Sequence, residues 1–257
     1  MSSILFEVRD SIAYITLNRP EKYNAFNREM ALRLQGVLDE CQAKEIRCIY
    51  LTGAGKAFSA GQDLEEVADP NGPAITRILG EHYNPIVRRL RRLEKPIVAA
   101  VNGVAAGAGA NIALCCDLVV AARSASFIQA FSKIGLIPDS GGTYFLPRLI
   151  GFQKASALFM LGDKVSAEDA ERMGMIYKVL EDGTFADESI KLATTLAAMP
   201  TRGLALTKMA LNNSLSNHFD DQLHDEELLQ EKAGSTFDYN EGVQAFLEKR
   251  KPAFRGE

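Results

Sequence analysis

The stretch Lys95–Asp117, KPIVAAVNGVAAGAGANIALCCD, limits the possible folds more than any other part of the chain. It opens with Pro96 and the branched apolar run Ile97-Val98-Ala99-Ala100-Val101, the pattern of a buried strand. Asn102-Gly103 ends that strand with a turn signal. Glycines and alanines follow, and the apolar segment Ala108–Cys116 then reads as a buried helix. A strand that feeds a small-residue loop and then a helix leaves free backbone N–H groups at the positive end of the helix dipole. Such a start can hold a phosphate or the oxygen of a polarised carbonyl. Close packing alone would also explain the small residues, so the flanking sequence has to decide.

The remainder of the chain removes many alternatives. Its 257 residues suffice for one substantial core, and the formal net charge of −4 gives no reason to expect nucleic acid or an anionic membrane as partner. No apolar run reaches the length of a membrane span. Met1-Ser2-Ser3 leads straight into a strand pattern, so no signal peptide is expected. Cys41, Cys48, Cys115 and Cys116 lack metal-ligand spacing and a secreted disulfide pattern, which implies reduced thiols in a cytoplasmic protein. His82, His218 and His224 are scattered and make no HExxH motif, so no metal site is expected. GxSxG, P-loop and GxGxxG signatures are absent as well.

Ile4–Arg9 and Ile12–Leu17 alternate across Asp10-Ser11, as a hairpin does. Asn24 is placed to cap a helix through Met30, Leu34 and Leu38. Cys48–Thr52 reads as a second-layer strand closed by Gly53-Ala54-Gly55, and Lys56–Leu64 as a short extended piece entering a tight turn. Two prolines and a glycine over 68–75 imply a mobile loop. Arg77–Leu93 is amphipathic, with Ile78, Tyr83, Ile86, Leu90 and Leu93 as its buried stripe and Arg88, Arg89, Arg91 and Arg92 as a solvated face. Leu118–Ala122 repeats the strand signal. Asp139 lies in Pro138-Asp139-Ser140-Gly141-Gly142, where a strand gives way to a helix. Ser166 caps a helix with acids in its first turn, and Val179 ends the last strand. From Thr184 onward the pattern is helical, broken at Pro200 and near Asn217. Repeated ββα units suggest a coiled, solenoid-like α/β core with a helical tail.

Three separated segments, KAFSAGQDL, AAVNGVAAGAGANIALCCDLVVAA and FSKIGLIPDSGGTYFLPRLIG, together resemble the enoyl-CoA hydratase/isomerase (crotonase) superfamily. The tail GVQAFLEKRKPAF is similar to that family's C-terminal helix, so the likeness spans nearly the whole chain. It implies a crotonase-like spiral of ββα units over 1–197 and a helical trimerisation segment over 198–257, in a homotrimer or a dimer of trimers. It also implies an acyl-CoA thioester substrate and no cofactor other than the CoA of that substrate. The family stabilises an enolate-like oxyanion with two backbone N–H groups, which by position would be those of Gln62 and Ala108. Asp139 stands where several isomerases of the family carry their catalytic carboxylate; a helix N-cap is the plain structural alternative for it. The hydratases' two water-activating glutamates correspond to Asn111 and Phe131, so simple hydration is not expected. Lys56, Ser59 and Ala60 would border the CoA, Phe131 the acyl group, and Phe246 and Lys249 the adenine and 3′-phosphate, with Asp63 and Asn111 as further substrate-binding residues. The tail's Leu204, Leu215, Leu223, Leu228 and Phe246 would be buried. GQDL, GVAAGAGA, AFSK and GLIPDSGG look most like members that convert an epoxidised phenylacetyl-CoA into its oxepin, with β,γ- to α,β-enoyl isomerisation as a related activity. A dehalogenase or hydrolase with Asp139 as nucleophile, and a non-catalytic acyl-CoA- or RNA-binding scaffold, remain alternatives.

Overall fold

In the computed structural model, which describes residues 2–69 and 72–257, the chain winds so that successive turns each give one strand to each of two sheets. The first sheet contains β1 (Ile4–Arg9), β2 (Ile12–Leu17), β3 (Cys48–Gly53), β5 (Ile97–Val101), β7 (Leu118–Ala122) and β10 (Lys178–Leu180), in that spatial order. The second contains β4 (Ala57–Ser59), β6 (Val104–Ala106), β8 (Ser126–Ile128) and β9 (Lys164–Ser166). Only β1/β2 and β8/β9 pair antiparallel. The expected ββα spiral is therefore present: β3–β4, β5–β6 and β7–β8 each cross from one sheet to the other before the chain turns helical. Every residue of β5 is buried, as a strand covered on both faces requires.

Around the sheets lie α1 (Arg28–Glu40), α2 (Leu64–Ala68), α3 (Ile75–Arg77), α4 (Asn84–Arg92), α5 (Ala108–Leu114), α6 (Gly142–Ile150), α7 (Phe152–Leu161), α8 (Ala167–Arg172) and α9 (Phe185–Ala197). The tail holds α10 (Thr201–Ser214), α11 (Phe219–Gly234) and α12 (Phe237–Glu248). The expected division at 197/198 falls in the turn between α9 and α10. α10 packs back on the core, where buried Lys208 pairs with Asp117 at 2.8 Å. The chain end returns as well, with Arg47 donating to the Phe254 carbonyl and Asp238 accepting from the N–H groups of Arg255 and Gly256.

The hairpin turns at Asp10-Ser11, both in the left-handed region, and Ser166 caps α8 as expected. Other readings need correction. Asn27, not Asn24, caps α1, its side chain accepting from Met30 N. Asn24 is fully buried at φ 55° and bridges three backbone groups: it donates to Ala54 O and Ala57 O and accepts from Arg19 N. Such local amide-to-backbone bonding favours a turn over a helix start. Cys48–Thr52 belongs to the same sheet as the hairpin. The expected helix over 77–93 is interrupted by a π-helical turn, Ile78–Tyr83, just before Pro85. Proline has no N–H and crowds the carbonyl four residues back, and that carbonyl, Glu81 O, accepts from Gln35 Nε2 instead. The buried stripe of this segment is as expected. Its arginine face is not wholly solvated, because Arg91 bonds Asn212 and Cys115 O and Arg89 pairs with Asp39. No strand runs directly into Asp139; after β8 a 3₁₀ turn, Ala130–Ile134, and irregular chain lead into it. In the loop expected over 68–75, Pro70 and Asn71 lie outside the described residues. Within this one chain Leu223, Leu228 and Phe246 are exposed, and Leu204 and Leu215 half-buried.

The four cysteines are buried and unpaired, and burial pushes the Cys41, Cys48 and Cys115 thiols up to about 12. Among the described residues no helix is long and apolar enough to cross a membrane. The two asparagines can be told apart by stability. Asn24→Ala strands several buried backbone groups and is expected to cost about 2–4 kcal/mol, whereas loss of the Asn27 cap costs about 1 kcal/mol. Urea unfolding of both variants should give that order, and the reverse order would contradict it.

Candidate active site

β4 and β6 pair side by side, so the loops that leave them meet. The first turns at Gly61 (φ 90°) and the second at Gly107 (φ 51°). A Cβ on Gly61 would stand 2.8 Å from Ala106 O and 3.3 Å from Ala108 N; one on Gly109 would stand 2.6 Å from both Ser59 Cβ and Ser59 O. Only glycine permits this approach.

The hydrogen bonding then aims two N–H groups. Gly61 O accepts from Phe26 N at 2.7 Å, and in a trans peptide the next N–H, that of Gln62, points the opposite way. Gly107 O accepts from Asn111 N at 3.1 Å, which directs the Ala108 N–H out of the start of α5. Neither N–H has a partner among the described residues. The Gln62 side chain is held by both ends: Nε2 donates to Glu66 Oε2 and Oε1 accepts from Tyr83 Oη, each at 2.8 Å. Glu66 in turn accepts from Arg28 N.

Asp139 shares this neighbourhood. Its carbonyl accepts from Asn111 Nδ2 at 2.9 Å, one turn along α5 from Ala108. Burial pushes the Asp139 carboxyl up to about 6, against the smaller opposing pull of the Ser140 hydroxyl, which donates to Oδ1 at 2.9 Å. The Tyr83 phenol is pushed well up, first by burial and then by the charge of Asp139, so it remains a donor to Gln62. The tip of the buried Phe131 ring lies 3.8 Å from where a Gly107 Cβ would be. Helix α6 is preceded by Gly141 at its N-cap and has no side-chain cap, so Asp139 does not act as the N-cap.

The other expected ligand residues divide. Lys56 and Ala60 are exposed beside the loop. Ser59 is fully buried, its hydroxyl donating to Asn24 O and accepting from Gly61 N, and so is not free for a ligand. Asp63 caps α2 and pairs with Arg19 at 2.9 Å. Asn111, 1% exposed, spends its amide on Asp139 O and Gln129 rather than facing an acyl group. Phe246 is exposed on α12, which packs on α11, and Lys249 is exposed just past its C-terminus; no hydrogen bond or ion pair among the described residues ties them to the loops above. Tyr83, Glu66, Gln129 and Cys115 were not legible as site residues. Tyr83 already satisfied a helical apolar stripe, Glu66 and Gln129 lie just outside the quoted segments, and Cys115 lies within one but reads as an ordinary buried thiol. Among the described residues no cluster of three or more His, Cys, Asp or Glu side chains is arranged to hold a metal.

Two converging donors and one desolvated carboxylate suit the stabilisation of an enolate and the movement of a proton beside it. The chain belongs to the enoyl-CoA hydratase/isomerase family, whose model matches residues 7–257. It is 51% identical over 261 residues, covering all of both chains, to the 1,2-epoxyphenylacetyl-CoA isomerase of Escherichia coli (strain K12). It is 34% identical to the short-chain-enoyl-CoA hydratase of Clostridium acetobutylicum, covering 98% of this chain and 97% of that one. A solved enoyl-CoA hydratase from Bacillus anthracis superposes with a TM-score of 0.92 at 32% identity, covering 99% of this chain and 100% of that one.

If the two loops must touch, Gly109→Ala forces them apart and should cost about 2–4 kcal/mol by overpacking. Gly80, exposed and with nothing within 4 Å of its Cβ position, should accept alanine with little change. Thermal unfolding of the pair checks this; equal effects would argue against the close approach.

Proposed function

We propose that this protein is an acyl-CoA isomerase that converts 1,2-epoxyphenylacetyl-CoA to oxepin-CoA and also shifts β,γ-enoyl-CoA double bonds to α,β. One observation carries the reading: the desolvated carboxyl of Asp139 lies in a turn whose carbonyl is hydrogen-bonded to α5, the helix that opens with one of the two unpartnered backbone N–H groups. Where a hydratase of the family has its glutamates, this chain has Asn111 and Phe131, neither of which can activate water. The 51% identity to the epoxyphenylacetyl-CoA isomerase supports the same substrate.

The thioester oxygen would accept from the Gln62 and Ala108 N–H groups, each worth roughly 2.7–4 kcal/mol in the transition state. With the oxygen so held, the Cα proton becomes acidic enough for the Asp139 carboxylate to take it, and the enolate takes the same proton back at Cγ. An arene epoxide and its oxepin interconvert by breaking the carbon–carbon bond shared by the two rings, with no proton moved. The oxepin so formed is a β,γ-unsaturated thioester, so the proton shift from Cα to the ring carbon completes the conversion. Both activities are then one reaction, redox-neutral and atom-balanced, which calls for no cofactor beyond the CoA carried by the substrate. Phe131 gives the acyl pocket an apolar wall suited to a flat ring.

For the CoA, exposed Lys56 is proposed to meet the phosphates and Ala60 the pantetheine. Phe246 and Lys249, remote from the loops within one chain, would serve the adenine and 3′-phosphate of a neighbouring subunit. That proposal fits the exposed apolar residues of α11 and α12, which would be covered in a homotrimer or a dimer of trimers. A CoA-dependent substrate and four protonated, unpaired thiols are consistent with a cytoplasmic enzyme.

Asp139→Asn tests the assignment. It preserves shape but cannot exchange a proton, so turnover of both substrates should fall roughly 10²–10⁴-fold with acyl-CoA affinity nearly unchanged. Because the folded carboxyl is raised, its favourable contribution is complete below the ordinary aspartate range and is lost as pH rises through about 6. The Asn variant should therefore gain Tm over wild type from pH 4 to pH 7. Wild-type kcat/KM on the β,γ-enoyl substrate should rise through about pH 6, where the base form appears. A stable Asn variant with near-normal turnover would end the proposal.

A further inference from the structure

The helix that opens with the Ala108 N–H also seats the Asp139 turn. Asn111 and Cys115 are four residues apart at the end of one buried face of α5. Asn111 Nδ2 donates to Asp139 O at 2.9 Å, and Cys115 Sγ donates to Ser140 O at 3.3 Å. The start of α6 presses on the same face: a Cβ on Gly142 would stand 2.3 Å from Asn111 Nδ2, and one on Gly141 3.7 Å from Cys115 Sγ. On its other side the turn has little packing of its own, since residues 132–137 are all exposed.

An asparagine amide can be flipped, and a flipped Asn111 would turn its oxygen toward the Asp139 carbonyl. The Asp139 carbonyl, which can only accept, therefore fixes Nδ2 toward itself, and Gln129 complements that orientation by donating from Nε2 to Asn111 Oδ1 at 2.9 Å. Gln129 is only 2% exposed, and its Oε1 has no partner among the described residues. A buried amide left half-unsatisfied is costly to keep, and its single bond is the one that satisfies Asn111 Oδ1.

We propose that Asn111, supported by Gln129 and assisted by Cys115, is a positioning residue that fixes the reach of the Asp139 carboxylate from the Ala108 N–H, with α5 as the rigid bar between them. The proposal rests on the reading of Asp139 as proton carrier. It also makes position 111 decisive for reaction type. An ionised carboxylate there has no proton to donate to the Asp139 carbonyl, so a hydratase-like acid at 111 and this seat for Asp139 exclude each other.

The test compares wild type, Asp139→Asn, Asn111→Leu, Gln129→Leu and the Asn111→Leu/Gln129→Leu double variant. The readouts are kcat and the pH profile of kcat/KM on a β,γ-enoyl-CoA, together with phenylacetyl-CoA affinity. Asn111→Leu should lose about 10²-fold in kcat, the scale of a small misplacement of a reacting group, with affinity essentially retained. As water reaches a loosened carboxylate, the midpoint of the pH profile should fall from about 6 toward the ordinary aspartate range. Gln129→Leu should act in the same direction but less, and the double variant should be no worse than Asn111→Leu alone. Wild-type kcat and pH midpoint in Asn111→Leu, or additive losses in the double variant, would overturn the proposal. Should Asn111→Leu not fold, Gln129→Leu and Cys115→Ala decide by the same two readouts. Full turnover by Asp139→Asn would instead remove the reading of Asp139 itself.

Discussion

The site depends on two loops pressed closer than side chains allow. Gly61 faces the Ala106 carbonyl and Gly109 faces Ser59, and at each contact a single added carbon would lie under 3 Å from backbone. Parallel pairing of β4 with β6 brings the loops alongside, and the fully buried Ser59 wedges beneath them. Once they are in contact, the Phe26–Gly61 and Asn111–Gly107 hydrogen bonds leave one N–H on each loop free. Unsatisfied donors at this depth cost folding free energy, and in the proposed function a thioester oxygen would recover that cost. Nothing then has to reorganise during the reaction, which is how preorganised dipoles outperform water.

Asp139 follows the same logic at its own position. Burial raises its carboxyl to about 6 and thereby opposes ionisation of the native state near neutral pH. A carboxyl so placed takes and returns a proton more readily than an ordinary aspartate. The Asp139 carbonyl accepts from Asn111 of α5, the helix that begins with the Ala108 N–H.

How much of this the sequence revealed depended on whether neighbours along the chain carried the signal. The hairpin at Asp10-Ser11, the buried strand Ile97–Val101, the Ser166 cap and the helical tail all follow from local period and turn residues. The small residues around Gln62 and Ala108 marked both loops, although the reason, contact between Gly109 and Ser59, spans 50 residues of chain. Asn24 was misread because a cap and a left-handed bridging turn favour the same residue type, and only the positions of Ala54 and Ala57 distinguish them. Ser59, Asp63 and Asn111 stood in the right motifs with the wrong tasks, since a motif does not tell which way a side chain faces. Tyr83 was hidden by its own hydrophobicity: its ring satisfied a helical stripe, while its hydroxyl donates to Gln62 Oε1. Gln129 and Cys115 carried no signal, being ordinary residues whose roles exist only after the sheets assemble.

The central claim is that Asp139 and the two backbone donors together make and unmake an enolate at Cα of a bound thioester. The most direct measurement is hydrogen exchange into phenylacetyl-CoA, which has the acidic Cα–H bonds but no epoxide to rearrange. Incubated in deuterium oxide and read by mass, wild-type protein should place deuterium at Cα well above the buffer rate, and Asp139→Asn should not. Wild-type protein that isomerises the epoxide yet leaves Cα of the analogue at the buffer rate would contradict the account.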